Sequence, residues 1–276
     1  MQNSSAKQRR TTLMLTESAV MIALAFILSF LKVVDMPYGG SVTAFSMLPI
    51  IIIAYRYSTG WGLAAGFAFS LLQMLMGLSS LSYATSAAAA VAIILLDYIV
   101  AFTVMGLGGV FRRVIKDQGS AMAVGALLAC VLRYICHVVS GCTVWAGVSI
   151  PTSDGLIYSM GYNATYMIPE TLMTIVGAYY VGSLFTITEA KIVRRPASGN
   201  KNAFSVIAAL PVVLAVVVSA AFIFGMMQNP DDGSFDISAI SGYGINSWVP
   251  VIVSMILGVV ISIAVAVYGK VKRSTK

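Results

Sequence analysis

The feature that most constrains this chain is a series of apolar runs, most of them about twenty residues long. A bilayer's hydrocarbon core is ~30 Å thick, and a helix of roughly 20 apolar residues crosses it. Hydrophobic residues make up 59% of the chain and charged residues only 10%, whereas charged residues make up about a quarter of soluble domains. We therefore predict an all-α integral membrane protein with eight spans, at about 13–34, 42–55, 61–78, 86–107, 122–145, 163–185, 204–227 and 248–268.

The charged residues predict how these spans are threaded. The net charge is +7, and the basic residues form short clusters between apolar runs rather than one face for a nucleic acid. Cytoplasmic loops of membrane proteins carry an excess of lysine and arginine. Threading eight spans places both termini, Arg56, the Arg112 cluster and the Arg194 cluster on one side. The opposite loops are acidic, so we expect a multi-pass protein of the plasma membrane with both termini cytoplasmic.

Composition also divides the chain into four parts. Residues 1–12 form a basic cytoplasmic tail, and residues 13–188 hold the first six spans. Residues 189–203 are polar and basic and contain Pro196 and Gly199, which is typical of a linker. Residues 204–276 hold two more spans and a basic tail. These last spans have ionisable residues only at their ends, so we predict scaffold or lipid-facing additions rather than parts of a binding site.

The candidate site lies around the only histidine of the chain. On a helix, Arg133, His137, Gly141 and Trp145 follow at steps of four, so they share one face. A face with a cation, an imidazole and an indole is poorly suited to lipid, and we expect it to point into the protein. Aromatic and polar residues recur where the next run begins: Tyr158, Tyr162, Asn163, Tyr166 and Glu170. Aromatic walls with a few polar groups are typical of a small-molecule pocket.

The ionisable residues inside spans need partners or a purpose, because burying a charge at mid-span costs roughly 2.5–3.5 kcal/mol. We predict that Asp97, His137 and Glu170 share a layer in the outer half of the membrane. Arg133 lies deeper and is expected to form a structural ion pair with Glu170 or with Asp97. Several other interpretations stay open: a helix-to-helix hydrogen bond for His137, a helix cap for Asn163 and an interfacial belt position for Trp145.

Several chemistries are disfavoured by the absence of their motifs. No GxxxxGK[ST] loop occurs, so ATP hydrolysis of the usual kind is not expected. One histidine without an HExxH pattern is a poor zinc site, and the three cysteines lack a CxxC pair. We expect no metal and no cofactor. An intramembrane enzyme that uses Asp97, His137 and Glu170 as acid and base remains the alternative from another class.

Four motifs together resemble a known family. They are GGSVT at Gly39–Thr43, the Asp97-Tyr98 pair, RxxxHxxSGxxxW at Arg133–Trp145 and YxxxxNxxYMxPE at Tyr158–Glu170. This combination resembles the thiamine-specific substrate-binding (S) subunits of energy-coupling factor (ECF) vitamin transporters, over about residues 13–190. The resemblance implies a six-helix membrane fold with a thiamine site near the outer surface, closed by the loop after the first helix. The last two spans lie outside it.

The resemblance also implies site residues and partners. Matched by position, the thiamine contacts would be Asp97, Tyr98, His137, Trp145, Tyr158 and Asn163. Uptake would need separate chains, namely a transmembrane coupling protein and two ATPase subunits. Ala19 and Ala23 lie four residues apart on the first span, and small residues at that spacing allow close helix approach in lipid. These alanines predict a coupling face, and ordinary internal packing stays open as the alternative. For the ligand, a related vitamin or precursor stays open as the alternative to thiamine.

Overall fold

The computed structural model describes residues 2–36, 39–146, 152–196, 203–229 and 236–274, and these are mostly helical. The helices are α1 Gln2–Ser29, α2 Leu48–Arg56, α3 Thr59–Met76, α4 Ala87–Ala92, α5 Ala101–Thr103, α6 Gln118–Ala146, α7 Thr152–Leu184, α8 Ala203–Met227 and α9 Ile245–Ser274. Four short strands, β1 Lys32–Asp35, β2 Ser41–Thr43, β3 Phe185–Ile187 and β4 Ile192–Arg194, form two separate hairpins. The protein is an all-α membrane protein.

Within the described residues, six helical segments are long and apolar enough to cross a membrane. They are Lys7–Ser29, Thr59–Met76, Ala87–Arg113, Gln118–Thr143, Ile207–Met227 and Ile245–Gly269. The segment Ala87–Arg113 corresponds to the fourth predicted span and is called the fourth span below. It is irregular, because α4 is followed by a π-helix over Ile93–Val100, by α5 and by a 3-10 helix over Val104–Arg113. The sixth predicted span corresponds to α7, which has 33 residues but a more polar composition.

The second predicted span differs most from expectation. A helix was predicted over 42–55, but β2 ends at Thr43 and α2 has only nine residues, beginning at Leu48. Proline lacks an N–H and fits only the first turn of a helix, and Pro49 lies in that turn. Most of α2 is buried, because α1, α3, the fourth span, α6 and α7 surround it. It is the central helix of the bundle.

The first hairpin contacts α7 at Tyr162 and Glu170, and the second hairpin follows the C-terminal end of that helix. In the first, β1 pairs antiparallel with β2, and Gly40 at its turn donates to the Tyr162 hydroxyl at 3.2 Å. In the second, β3 pairs with β4, and β4 lies inside the stretch 189–203 that was predicted as a linker. Gln118 holds this second hairpin, donating to the Phe185 carbonyl at 2.8 Å and accepting from Ile187 N at 3.1 Å. A local composition rule does not detect such a long-range contact.

The last two helices form an antiparallel pair attached to the outside of the bundle. Ser262 donates to the Ala208 carbonyl at 2.5 Å, and Ser219 shares a hydrogen bond with Ser254 at 2.9 Å. Gly258 brings the two backbones close, since a Cβ there would lie 2.5 Å from that of Ala215. Helix α8 packs on α7, whereas most apolar side chains of α9 are exposed, as expected for a lipid-facing helix.

Candidate ligand-binding site

A cavity of about 520 Å³ lies between the first hairpin, α3, the fourth span, α6 and α7. Its walls combine aromatic and aliphatic groups, such as Phe102 and Ile93, with polar side chains from every one of these elements. Such a lining suits a small amphipathic ligand. The polar side chains are Ser29, Lys32, Ser41, Thr43, Ser46, Gln73, Ser80, Tyr83, Asp97, Tyr98, Arg133, His137, Tyr162, Asn163, Tyr166 and Glu170.

Asp97 and His137 form one polar unit at the wall between the fourth span and α6. Asp97 Oδ1 lies 2.8 Å from His137 Nδ1, and Ser140 donates to Asp97 Oδ2 at 2.7 Å. A neutral imidazole that donates Nδ1–H to a carboxylate keeps Nε2 as an acceptor. His137 is buried, and its Nε2 has no hydrogen-bond partner within the described part of the chain. This nitrogen therefore offers a position for a ligand group.

The local backbone explains how Asp97 reaches the cavity. Asp97 and Tyr98 lie in the π-helical segment Ile93–Val100, and π-helical turns occur frequently at functional sites. The Tyr98 hydroxyl donates to the Gly77 carbonyl at 3.1 Å and shares a hydrogen bond with Ser80 at 3.0 Å. A Cβ at position 77 would lie 1.9 Å from that hydroxyl. Glycine at the end of α3 therefore makes room for the tyrosine.

Asn163 and two tyrosines of α7 form the opposite wall. Asn163 Nδ2 donates to the Ser159 carbonyl at 2.9 Å, and Tyr166 donates to Asn163 Oδ1 at 2.5 Å. The Tyr166 ring meets His137 edge-on at 6.2 Å and Tyr162 at 5.8 Å. The contact with His137 ties α7 to α6, and the Tyr162 hydroxyl ties α7 to the first hairpin. The close approach of α6 and α7 requires Gly141, where a Cβ would lie 2.2 Å from Ser159 Oγ.

The floor of the cavity holds a buried ion pair. Arg133 Nη1 lies 2.7 Å from Glu170 Oε2, and both side chains are almost fully buried. Of the two partners predicted for Arg133, the structure therefore pairs it with Glu170. Thr43 of β2 donates to Glu170 Oε1 through its hydroxyl at 2.5 Å and its backbone N–H at 3.3 Å. Arg133 also lies over the Phe102 ring at 4.6 Å.

The predicted site residues do not all meet here. Asp97, Tyr98, His137 and Asn163 line the cavity, but Tyr158 does not; it packs against the apolar cluster between α7 and α8. Trp145 lies in the last turn of α6, and its side chain falls outside the described residues. Sequence reasoning assigned no role to Gln73 or to Ser140, although Ser140 is the serine of the motif RxxxHxxSGxxxW. Ser140 had a usable signal, since it follows His137 by three positions and so shares its face.

Comparison with known proteins agrees with these motifs. Residues 15–190 match the family described as "Thiamine transporter protein", which is well over half of the chain. The chain belongs to this thiamine transporter family. One relative is the thiamine transporter ThiT of Bacillus subtilis (strain 168), 33% identical over 177 residues, which are 60% of this chain and 88% of that protein. A solved structure of ThiT from Listeria monocytogenes is similar over 62% of this chain and 91% of its own, with 22% identity and a TM-score of 0.47.

Membership in the thiamine transporter family covers only part of the chain. The match ends at residue 190, close to the second hairpin, and α8 begins at Ala203. The helices that enclose the cavity all lie inside the matched region. The pair α8–α9 lies outside it, so the family alone says nothing about what this pair does.

Proposed function

We propose that this chain is the thiamine-binding subunit of an ECF-type vitamin transporter and that thiamine occupies the cavity beside Asp97. Thiamine joins a permanently cationic thiazolium ring to an aminopyrimidine. It therefore calls for a carboxylate, aromatic faces and hydrogen-bonding groups within one enclosure. The single observation that carries this proposal is the Asp97–His137–Ser140 unit, facing a cavity in a chain of the thiamine transporter family.

The balance of charge around the cavity supports a cationic ligand. Glu170 is neutralised by Arg133 at 2.7 Å, and Lys32 is paired with Asp35 at 2.9 Å. Asp97 instead accepts hydrogen bonds from an imidazole and a hydroxyl, and neither group needs to carry a charge. Among the described residues of the cavity lining, Asp97 is thus the acidic residue that has no permanently charged cation beside it. A desolvated cation at this place is stabilised both by the Asp97 carboxylate and by the nearby aromatic ring faces.

We assign the ligand contacts on this basis. Asp97 faces the positive charge, His137 Nε2 accepts a hydrogen bond from a ligand donor such as an amino group, and Asn163 and Tyr98 complete the polar contacts. Trp145 enters the assignment from the family resemblance alone. Tyr158, which the resemblance also implies, does not line the cavity and is not assigned a contact. The first hairpin covers the cavity and is fastened to α7 through Thr43 and Gly40. Release of thiamine then requires these fastenings to open.

Accumulation of thiamine requires partner chains in this proposal. The partners are a transmembrane coupling protein and two ATPase subunits, because the sequence contains no nucleotide-binding loop. Ala19 and Ala23 are exposed on α1, which supports their role as the coupling face. We place both termini in the cytoplasm. The salt bridge of 3.0 Å between Glu17 and Arg56 then lies toward the cytoplasmic end of α1.

Reconstitution into lipid vesicles tests this function. The chain alone should bind thiamine in a saturable manner without converting it and without accumulating it. Addition of the coupling protein, the ATPases and ATP should produce uphill uptake. Uptake by the chain alone would contradict the proposal, and so would release of a chemically altered product. Stronger binding of the isolated aminopyrimidine than of thiamine would favour a precursor as the ligand.

A further inference from the structure

The outer pair of helices, α8–α9, touches the back of the ligand cavity. Residues of α8 join a buried apolar cluster with residues of the cavity wall and of the first hairpin. The hairpin contributes Met36 and Val42, and α7 contributes Tyr162. From α8 come Val213, Val217, Phe224 and Met227, all buried. The sequence predicted a scaffold or lipid-facing addition, but only α9 is largely exposed.

A series of aromatic contacts leads from α8 to the cavity. The Phe224 ring meets Tyr162 at 6.4 Å, Tyr162 meets Tyr166 at 5.8 Å, and Tyr166 meets His137 at 6.2 Å. Each contact has edge-to-face geometry, which aromatic pairs favour. Tyr162, Tyr166 and His137 line the cavity, whereas Phe224 stands one layer behind them.

Tyr162 is the point where this layer meets the hairpin. Its hydroxyl accepts from Gly40 N at 3.2 Å, and a Cβ at position 40 would approach within 2.8 Å of it. Met36 on the same hairpin is 5% exposed and is covered partly by α8, which packs against β1. Movement of the Tyr162 ring away from its place would therefore release both the turn and one side of the hairpin.

We propose that Phe224 is a positioning residue of the ligand site, through which α8 holds Tyr162 and the first hairpin closed over the bound ligand. The inference rests on the proposed function, since the ligand is taken to be thiamine. It gives the two helices beyond the family match a task in substrate retention. Phe224 does not touch the ligand; it acts by limiting where the Tyr162 ring can go.

The test measures thiamine release from the full-length protein. In Phe224→Ala, dissociation should become about 3- to 10-fold faster, which is the range expected for loss of an aromatic pair. Phe222→Ala is the matched control, because that ring lies two positions away on α8 and is 46% exposed. It should release thiamine at the unsubstituted rate. Phe224→Leu keeps most of the volume without the ring edge and should give a smaller change in the same direction.

Two further variants separate positioning from a general loss of stability. Gly258→Val should loosen α8 from α9, since added atoms would meet Ala215 and Pro211, while leaving the Phe224–Tyr162 contact alone. Its melting temperature should fall without faster release. In a Tyr162→Leu background, Phe224→Ala should add little, because groups that act through one another are not additive.

The outcomes are distinct. A normal release rate in Phe224→Ala overturns the inference, as does equally fast release in Phe222→Ala or Gly258→Val. Full additivity with Tyr162→Leu also overturns it. Failure of the unsubstituted protein to bind thiamine overturns the proposed function itself, and the inference falls with it.

Discussion

At the scale of single residues, Arg133 and Glu170 show how a membrane protein places charges under a binding site. Burying two charged side chains in an apolar interior costs free energy. The opposite charge and further hydrogen bonds must offset this cost for each of them. Glu170 receives these from Arg133 and Thr43, and Arg133 gains the Phe102 ring. The pair therefore contributes no net charge to the cavity and leaves Asp97 to set its electrostatic sign.

The first prediction concerns the stability of this pair. Glu170→Gln leaves the Arg133 guanidinium buried without its counter-ion, and breaking a buried pair in this way costs about 3–5 kcal/mol. The ligand-free protein should unfold at a clearly lower temperature in detergent. Arg133→Gln added to Glu170→Gln removes the stranded charge and should restore part of the loss. A double variant no more stable than the single one would contradict this account.

Residue types and spacings on one helix were the most informative part of the sequence. Steps of four placed Arg133, His137 and Gly141 on one face, and all three line the cavity. Spacing leaves two partners open for Arg133, because Asp97 and Glu170 lie on different helices at similar depths. Only tertiary packing decides between them. The Nδ1 contact of His137 with Asp97 likewise depends on how two helices are rotated, and spacing does not report this.

At the scale of elements, the first hairpin is the part most directly tied to ligand retention. Gly40 lies so close to Tyr162 and Tyr166 that a methyl group would come within 3 Å of the Tyr162 hydroxyl and of the Tyr166 ring. We predict that Gly40→Ala lifts the hairpin and accelerates thiamine release. Gly60→Ala is the matched control, since nothing lies within 4 Å of a Cβ there. Equal release from both variants in a stopped-flow measurement would show that the hairpin does not retain the ligand.

Helix α1 carries the prediction about coupling. Ala19→Leu and Ala23→Leu enlarge an exposed small-residue surface and should block close approach of a partner helix. Thiamine binding in detergent should stay near normal, while uptake in cells should fall sharply. Ala68→Leu, at an exposed position on α3, is the control and should leave uptake intact. Loss of binding together with uptake would show instead that the alanines pack the fold.

Sequence predicted long elements better than short ones. Apolar runs identified α1, α3, the fourth span, α6, α8 and α9, because length and hydropathy are local properties. The run 42–55 was wrong as a full span, since only its part from Leu48 onward is helical. An apolar segment buried inside a bundle has the same composition as a lipid-facing one. The β1–β2 hairpin and the π-helical segment around Asp97 were not predicted. Both are fixed by contacts with other elements, such as those of Thr43 with Glu170.

At the scale of the whole molecule, the prediction concerns the orientation of the protein in the membrane. Ser82 and Lys191 are both exposed. The threading derived from the loop charges places them on opposite sides of the membrane, so a single cysteine at each position tests it. In a background with its three native cysteines replaced by alanine, an impermeant reagent added outside intact cells should label Ser82→Cys only. Lys191→Cys should react after the membrane is opened. Labelling of Lys191→Cys from outside would reverse the topology.

The architecture as a whole combines a family core with an added helix pair. The core encloses the cavity and lies within residues 15–190, while α8–α9 packs on α7 behind it. Sequence could separate these two parts by the polar stretch between them. It could not predict that α8 reaches the cavity wall, because Phe224 lies 62 residues from Tyr162 and belongs to no recognisable motif.

Titration of thiamine into the purified protein and into Asp97→Asn tests the central claim most directly. The unsubstituted chain should bind thiamine saturably, one molecule per chain. Removing one side of a buried charge interaction typically costs ~2–5 kcal/mol, so Asp97→Asn should weaken thiamine binding by about 30-fold or more. Binding of a neutral aminopyrimidine fragment should change much less. Absence of thiamine binding, or equal losses for both ligands in Asp97→Asn, would contradict the claim that this cavity holds thiamine through the Asp97 carboxylate.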